Sequence, residues 1–315
     1  IASGARQHTP DQYLYGEDER VLTGLELDRR LIENDPAIPT KKTALFIQCV
    51  GSRIPERPYC SKLCCTHSIR NALKLKSLNP KMDVYILYQD LRAYGLREDL
   101  YRKAREAGVQ FIRYRQEQGV EVLYEGADLK VRFKDTVLRR EMEITPELIV
   151  LASAIVPPEE NPLAQQFKVT LNDDGFFMEA HAKLRPVDCA TDGVFICGLA
   201  HAPKPIDESI SQAAAAATKA VTLLARKVIR TSGNTAKVDP MACSGCGVCA
   251  SVCPYSAPSL IPESERHFPG RAQIESVLCK GCGLCVASCR SGAIGLKGFD
   301  NDQIFSQIFA LRETG

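Results

Sequence analysis

Cysteine is the residue type most able to do chemistry in this chain, and its spacing is specific. Eight of the fourteen cysteines fall in two runs, Cys243, Cys246, Cys249 and Cys253, followed by Pro254, and Cys279, Cys282, Cys285 and Cys289. Each run reads C-x-x-C-x-x-C-x-x-x-C, a spacing that lets one tight loop wrap three thiolates round a corner of an iron-sulfur cube. Where two such runs share a module, the fourth cysteine of each crosses to the other cube. The expected ligand sets are therefore Cys243, Cys246, Cys249 and Cys289 for one 4Fe-4S cluster, and Cys279, Cys282, Cys285 and Cys253 for the other. Gly245, Gly247, Gly281 and Gly283 stand between ligands, where a missing side chain lets the backbone curl towards sulfide. Zinc is the main rival, since C-x-x-C pairs also build tetrahedral zinc sites. Two matching runs separated by a strand-like stretch favour a duplicated two-cluster module instead. Arg290 occupies the place where the second run would carry proline, which bears on the turn more than on ligation.

A second group, Cys49, Cys60, Cys64 and Cys65, sits in a different setting. The stretch from residue 43 reads as a buried apolar strand ending in a glycine turn, residues 61 to 78 as a helix stopped by Asn79-Pro80, and residues 83 to 90 as a second buried strand. Strand, turn, helix and strand make a βαβ unit. A helix over residues 96 to 107, a strand at 109 to 114, a hairpin over 120 to 133 and a final apolar strand at 147 to 155 complete a small α/β sheet of the dinucleotide-domain type. A nucleotide-binding sheet would carry G-x-G-x-x-G at its first turn. This one has Cys49 at the strand end and the other three cysteines at or inside the first helical turns, so all four can converge on the crevice above the sheet. A third 4Fe-4S cluster is one reading. A local disulfide, a zinc site and buried structural cysteines are the others.

Flavin chemistry is the third possibility written in the chain. Residues 191 to 229 read as a strand running into Gly198, a proline-broken loop and a long alanine-rich helix from residue 206. Gly198 and Leu199 would admit a cofactor to the backbone, and free N–H groups near Asp207, Glu208 and Ser209 could bind the electron-rich pyrimidine edge of an isoalloxazine. A packing helix after a close glycine turn is the plainer reading. Lys204, between two prolines, is a candidate to neutralise a reduced flavin. Ala2-Ser3-Gly4-Ala5 resembles the A-T-G-A turn at which flavin disulfide reductases return to their FAD domain.

Composition sets bounds. A chain of 315 residues, 45% apolar and 25% charged, is long enough for two domains or three small ones. Its formal charge of +2 offers no argument for nucleic acid or an anionic membrane. No apolar run approaches the roughly 20 residues that span a bilayer, so a direct membrane span is not expected. Reduced thiols point to a cytoplasmic setting, with any membrane association made through partners. The first residues carry neither a start methionine nor a leader pattern and read as the interior of a domain.

In order, these pieces resemble the A-type iron-sulfur subunit family of CoB–CoM heterodisulfide reductase, including quinone-linked relatives. The likeness is carried by I-A-S-G-A at 1 to 5, Q-C-V-G-S-R at 48 to 53, Y-C-S-K-L-C-C at 59 to 65, the R-P-V-D and D-G-V-F-I-C-G segments within 185 to 198, and both cysteine runs. It implies an α/β fold: a thioredoxin-reductase-like FAD domain with an inserted degenerate dinucleotide-type domain, then an α+β two-cluster bacterial-type ferredoxin domain. The implied divisions are residues 1–40 and 161–232 for the FAD domain, 41–160 for the insert, 233–298 for the ferredoxin domain and 299–315 for a docking helix or linker. The implied cofactors are FAD and three 4Fe-4S clusters, the third on Cys49, Cys60, Cys64 and Cys65. The family's first FAD fingerprint lies upstream of residue 1, so the adenine half of the site has to be completed elsewhere. The implied role is that of an oxidoreductase component passing electrons between flavin and clusters, with flavin-based bifurcation as one option. Implied partners are B- and C-type subunits of such a complex, a hydrogenase or other donor subunit, or a quinone-linked membrane subunit. Where bifurcating members carry a lysine five residues after the paired cysteines, this chain has Arg70, which keeps the charge but cannot release its proton. That leans towards a non-bifurcating, quinone-interacting relative. A wire or scaffold with an empty flavin site is the third option.

Overall fold

The computed structural model describes residues 1–115, 119–227 and 233–313. The chain divides into two compact units, one of residues 2–158 and 198–210, the other of residue 1, residues 159–197 and residues 211–315.

The first unit contains β1 (Arg6–Gln7), β2 (Val21–Thr23), α1 (Gly24–Ile32), β3 (Thr43–Val50), α2 (Cys64–Leu78), β4 (Asp83–Tyr88), α3 (Glu98–Glu106), β5 (Gln110–Arg113), β6 (Val120–Glu125), β7 (Asp128–Asp135), β8 (Arg140–Ile144), β9 (Leu148–Ser153) and β10 (Ile155–Val156). Five strands form a parallel sheet in the order β2-β9-β3-β4-β5. Strand side chains alternate between faces, and here both faces are buried. Ala44, Phe46, Leu148 and Val150 pack against Leu27 of α1, Ile69, Ala72 and Leu75 of α2 and Ala104 of α3. Leu45, Ile47, Ile149 and Leu151 pack against Val120, Val122, Leu129, Val131 and Phe133 of the antiparallel β6-β7-β8 sheet. That double burial is why β3 and β9 read as continuous apolar runs. Helix α1 starts in a capping box: the Glu26 amide donates to the Thr23 hydroxyl (3.3 Å), and the Thr23 amide donates to the Glu26 carboxylate (2.7 Å).

The second unit contains α4 (Pro162–Gln166), the greater part of α5 (Ile206–Leu224), β11 (Ala236–Val238), α6 (Val248–Val252), β12 (Pro258–Leu260), β13 (Ala272–Ile274), α7 (Leu284–Ala287), β14 (Ile294–Leu296) and α8 (Asn301–Glu313). β11 pairs with β14, and β12 with β13, both antiparallel. Each short helix follows a loop with the first two cysteines of a run and carries the third, Cys249 in α6 and Cys285 in α7, so the two cysteine runs are built as a repeat: loop, short helix, strand. Its small core is mostly cysteine and alanine, with Cys243, Cys249 and Cys285 buried beside Ala236, Ala272 and Ala293. Such a core buries little apolar carbon, and leaves room between the loops.

Three sequence expectations differ from the structure. Residues 191 to 197 make no strand; they pair through a bridge between Asp188 and Phe195, because Gly193 closes a tight turn at φ +79° and leaves too few residues for a ladder. β8 and β2 form where the sequence pattern indicates no strand. The long helix ends at Leu224, and its expected last residues, 228 and 229, lie outside the described residues. Among the described residues no helix is long and apolar enough to cross a membrane.

The capping box makes a first prediction. Thr23→Ala removes the hydroxyl acceptor and should cost about 1 kcal/mol, read as a lower urea midpoint with unchanged iron content.

Candidate functional site

In the second unit two cavities lie between the repeats. One is lined by Cys243, Cys246, Cys249 and Cys289, the other by Cys253, Cys279, Cys282 and Cys285. Each cavity takes three cysteines from one run and the fourth from the other, the crossed arrangement expected from spacing. The loops reach this shape through left-handed glycines: Gly245, Gly247, Gly281 and Gly283 all have φ between +64° and +78°. At Gly281 a Cβ would lie 2.1 Å from the Asn234 carbonyl oxygen, so no other residue fits. Backbone amides meet the sulfurs directly. Ala272 N donates to Cys243 Sγ at 3.4 Å, and Ala236 N to Cys279 Sγ at 3.3 Å.

Electrostatics follow the same grouping. The Cys246 thiol is lowered by the Val248 amide and then the Ser244 hydroxyl, with Cys289 opposing as a like charge. Burial pushes Cys285 up, followed by the charges of Cys279, Cys253 and Cys282. At Cys289 burial is outweighed by donors from the Ser291 hydroxyl and the amides of Ala293 and Ile294, so the thiol falls. Among the described residues no three His, Cys, Asp or Glu side chains converge on a single-ion geometry. All fourteen cysteines are free thiols.

The first unit assembles the other four. The β3–β9 pairing runs Ala44↔Leu148 to Ile47↔Leu151 and then jumps to Val50↔Ser153, so β3 carries one extra residue, a bulge at Gln48 and Cys49. Cys49 sits in it at φ +64°, an uncommon conformation for a residue with a side chain. The loop that follows stays strained, with Arg53 at +60° and Lys62 at +57°. It delivers Cys60, whose sulfur accepts from the Lys62 amide (3.3 Å). Cys64 and Cys65 form the first turn of α2, an N-terminus with no side-chain cap, where the open amides favour negative charge. Burial raises the Cys49 thiol to about 11, with the Cys65 charge next, Cys60 adding, and Arg53 opposing. Cys64 is pushed up by burial and then by Cys65, Cys49 and Cys60; Cys65 is raised by burial, with Cys60 adding. The charges of Cys60 and Cys65 thus reach Cys49, and those of Cys49, Cys60 and Cys65 reach Cys64. The donor set is all thiol, which suits an iron-sulfur core.

The expected flavin loop begins where residue 198 enters the first unit. The Cys197 amide donates to the Ile1 carbonyl (3.1 Å), which brings the following residues, Ala2-Ser3-Gly4 and Gly198-Leu199, side by side. Gly198 and Gly4 are left-handed, at φ +70° and +76°, and among the described residues none beyond their chain neighbours comes within 4 Å of an added Cβ. The backbone there is open to a cofactor. Two details differ from the sequence reading. Lys204 is buried, and its Nζ donates to the carbonyls of Gly198 (2.7 Å) and Ala202 (3.0 Å) and lies 3.3 Å from His201 Nδ1. Its charge therefore holds the loop, because the proline on each side folds the segment back on itself. The start of α5 is also engaged. Ser209 N donates to the Pro205 carbonyl (2.9 Å), while the Asp207 carboxylate receives the amides of Asp207 and Glu208 and pairs with Arg97. Glu208 accepts from the Tyr94 hydroxyl. Arg70 lies on the exposed side of α2. Tyr94 and Arg97 cannot be identified from sequence; nothing in their spacing ties them to a helix more than a hundred residues away.

The glycine contact makes the prediction for this site. Gly281→Ala should lower the iron content by about one cube, about four irons, measured against total protein after anaerobic purification.

Residues 236–259, which contain the first cysteine run, match the family model for a 4Fe-4S binding domain. The chain is 40% identical to the iron-sulfur subunit (A type) of the CoB–CoM heterodisulfide reductase of Methanocaldococcus jannaschii, aligning over 96% of this chain and 48% of that protein. It is 32% identical to the A-type subunit of the ferredoxin:CoB–CoM heterodisulfide reductase of Methanosarcina acetivorans, over 100% of this chain and 43% of that protein. The chain thus spans about half the length of the curated relatives it matches. Among solved structures, thioredoxin reductase of T. acidophilum is similar at a TM-score of 0.48 and 11% identity, over 72% of this chain and 65% of that one. The NAD-dependent persulfide reductase of A. fulgidus is similar at 0.42 and 18% identity, over 76% and 41%. Over the length that aligns, the chain belongs to the family of A-type iron-sulfur subunits of CoB–CoM heterodisulfide reductase.

Proposed function

We propose that this chain is the flavin and iron-sulfur electron-transfer part of a heterodisulfide-reductase-like oxidoreductase. The observation that carries the reading is the pair of cavities, each ringed by three cysteines of one run and one of the other. They would hold two 4Fe-4S cubes, and Cys49, Cys60, Cys64 and Cys65 a third. FAD would sit against Ala2, Ser3, Gly4, Gly198 and Leu199, and would exchange electrons in pairs or singly where each cube carries one.

The protein's own share of the work is positioning. Thiolates hold the cubes, amides from Ala236, Ala272 and Lys62 meet their sulfurs, and the uncapped start of α2 faces the third site with open N–H groups. Donors to sulfur favour the reduced, more negative cube, so each amide raises the potential at which an electron is taken up. Lys204 keeps the Gly198 loop open by bonding its carbonyls. Asp207, Glu208 and Ser209 set the start of α5 through their bonds with Arg97, Tyr94 and Pro205, and would reach a flavin only by exchanging those partners.

The relatives' names specify a heterodisulfide and ferredoxin as redox partners. We extend that partner class to this chain, with subunits of the B and C type or another donor subunit bringing their own centres within tunnelling reach. A second reading is favoured by Arg70: a permanent cation on α2 cannot donate a proton, which suits a non-bifurcating, quinone-linked complex. The two are separated by whether one donor drives ferredoxin and a higher-potential acceptor together.

Protein isolated without oxygen should contain one FAD and about twelve irons per chain, four for each cube. Cys49→Ser should lower iron by about a third and leave the two C-terminal clusters visible by electron paramagnetic resonance. A wild-type iron content near eight would remove the third cluster from the proposal, and absent flavin would leave only the wire.

A further inference from the structure

We infer that the side-chain amide of Gln48 donates a hydrogen bond to a sulfur of the cluster on Cys49, Cys60, Cys64 and Cys65, and so sets that cluster's electron affinity; this rests on the third cluster proposed above. Gln48 is 1% exposed, and among the described residues neither its amide nitrogen nor its amide oxygen has a hydrogen-bond partner. Leaving such a group buried and unpaired costs about 1–3 kcal/mol. The neighbouring positions of β3, Ala44 to Ile47, are all apolar and fully buried. A leucine or methionine at 48 would avoid the cost, so an amide here implies a partner that arrives with a ligand.

Position supplies the identity of that partner. Gln48 precedes Cys49 in the bulge and follows Ala44 and Phe46, whose face packs against α2. The first turn of α2 carries Cys64 and Cys65. β3 and β9 are hydrogen-bonded neighbours in the parallel sheet, so Cys49 and Ser153 lie at the carboxyl ends of adjacent strands, the end at which ligands bind in open α/β sheets. The Ser153 hydroxyl, at the end of β9 opposite Val50, is also buried and unpartnered. The backbone cannot move to relieve Gln48, because its carbonyl accepts from the buried Tyr114 hydroxyl at 2.8 Å. The group of four sulfurs that begins at the next residue, Cys49, would supply a negatively charged acceptor. An N–H bonded to sulfide or thiolate stabilises the reduced cube more than the oxidised one.

Gln48→Met keeps the side chain's length and removes the donor. The cluster under test is the one whose electron paramagnetic resonance signal disappears in Cys49→Ser. In Gln48→Met holoprotein with wild-type iron, its midpoint potential should shift negative while the other two clusters stay unchanged. In wild-type protein labelled with 15N at glutamine side chains, the reduced cluster should show a 15N coupling by electron-nuclear double resonance that Gln48→Met lacks. This second measurement decides the matter if the variant loses iron. An unchanged midpoint at full iron, as expected if buried water satisfies the amide, overturns the inference. So does a missing coupling in wild-type protein with about twelve irons. Wild-type protein with about eight irons overturns the third cluster itself, and the inference falls with it.

Discussion

Sulfur charge is the constraint on which the rest of this structure depends. A thiolate is the form that binds metal, yet burial and crowding both disfavour it. The Cys49 thiol is held near 11 by burial first and by Cys65 second. Cys64 and Cys285 are pushed the same way by the same two causes. Without a cationic core these sites keep their protons; with one, they release them, so metal incorporation, proton loss and final folding are one coupled event. The protein softens the penalty with donors that cost no net charge, such as the amides aimed at Cys243, Cys279 and Cys60. Cys246 and Cys289 are lowered outright, each by donors close in sequence.

The two cysteine-bearing regions solve the positioning problem differently. In the C-terminal repeat the ligands come from short loops whose left-handed glycines turn the chain between successive sulfurs, and the crossing fourth ligands tie the two loops together. Neither cavity is completed by one run alone, so a cube held there would be a cross-link between the halves of a module with little apolar core of its own. At the parallel sheet the scaffold is rigid and pre-formed, with both faces of β3 and β9 covered. There one extra residue in β3 turns Cys49 out of the ladder. The bulge also moves Val50 from the helix-facing set to join Leu45 and Ile47 on the opposite face. Strain at Cys49, Arg53 and Lys62 is tolerated because the strand on one side and α2 on the other are fixed.

What can be read from sequence follows from how local each feature is. The C-terminal ligand sets are legible because a cube's ligands are spaced by the reach of a few residues. The parallel strands are legible because two-sided burial leaves unbroken apolar runs. β8 is not, since its Arg-Glu-Met-Glu-Ile pattern belongs to an outer strand with one wet face. Lys204 and Asp207 are legible only in part: each reads as a charge beside an expected cofactor, and the partners it contacts within the protein are not visible in spacing. Those partners, the Gly198 carbonyl and Arg97, are set by folding and leave no trace in spacing. Gln48 shows the same limit from the other side. A glutamine in an apolar strand is ordinary as a sequence feature, and only its burial without a partner makes it informative.

The expected flavin loop is pre-organised by the same kind of charge-assisted bonding. Lys204 has two carbonyls and a histidine nitrogen around its ammonium, so the loop from Gly198 to Pro205 is bound to itself before any cofactor arrives. Arg97 and Tyr94 do the corresponding work at the start of α5, holding Asp207 and Glu208 from the segment that leads into α3. That segment follows β4 by way of Asp90, two residues past the strand's end, and the Asp90 carbonyl accepts from the Cys65 sulfur at 3.7 Å. Asp90 in turn pairs with Arg53 at 2.8 Å, and Arg53 faces Cys49. Polar contacts of the thiol site therefore reach Asp90, and the backbone of the loop after β4 leads from there to Tyr94 and Arg97, which hold the first turn of α5. A change of charge at the four sulfurs would be felt first by Arg53 and Asp90, which are already paired and can answer by adjusting a hydrogen bond. Coupling of this kind needs no moving domain, only neighbours whose bonds are strong enough to transmit a preference and few enough to be redistributed.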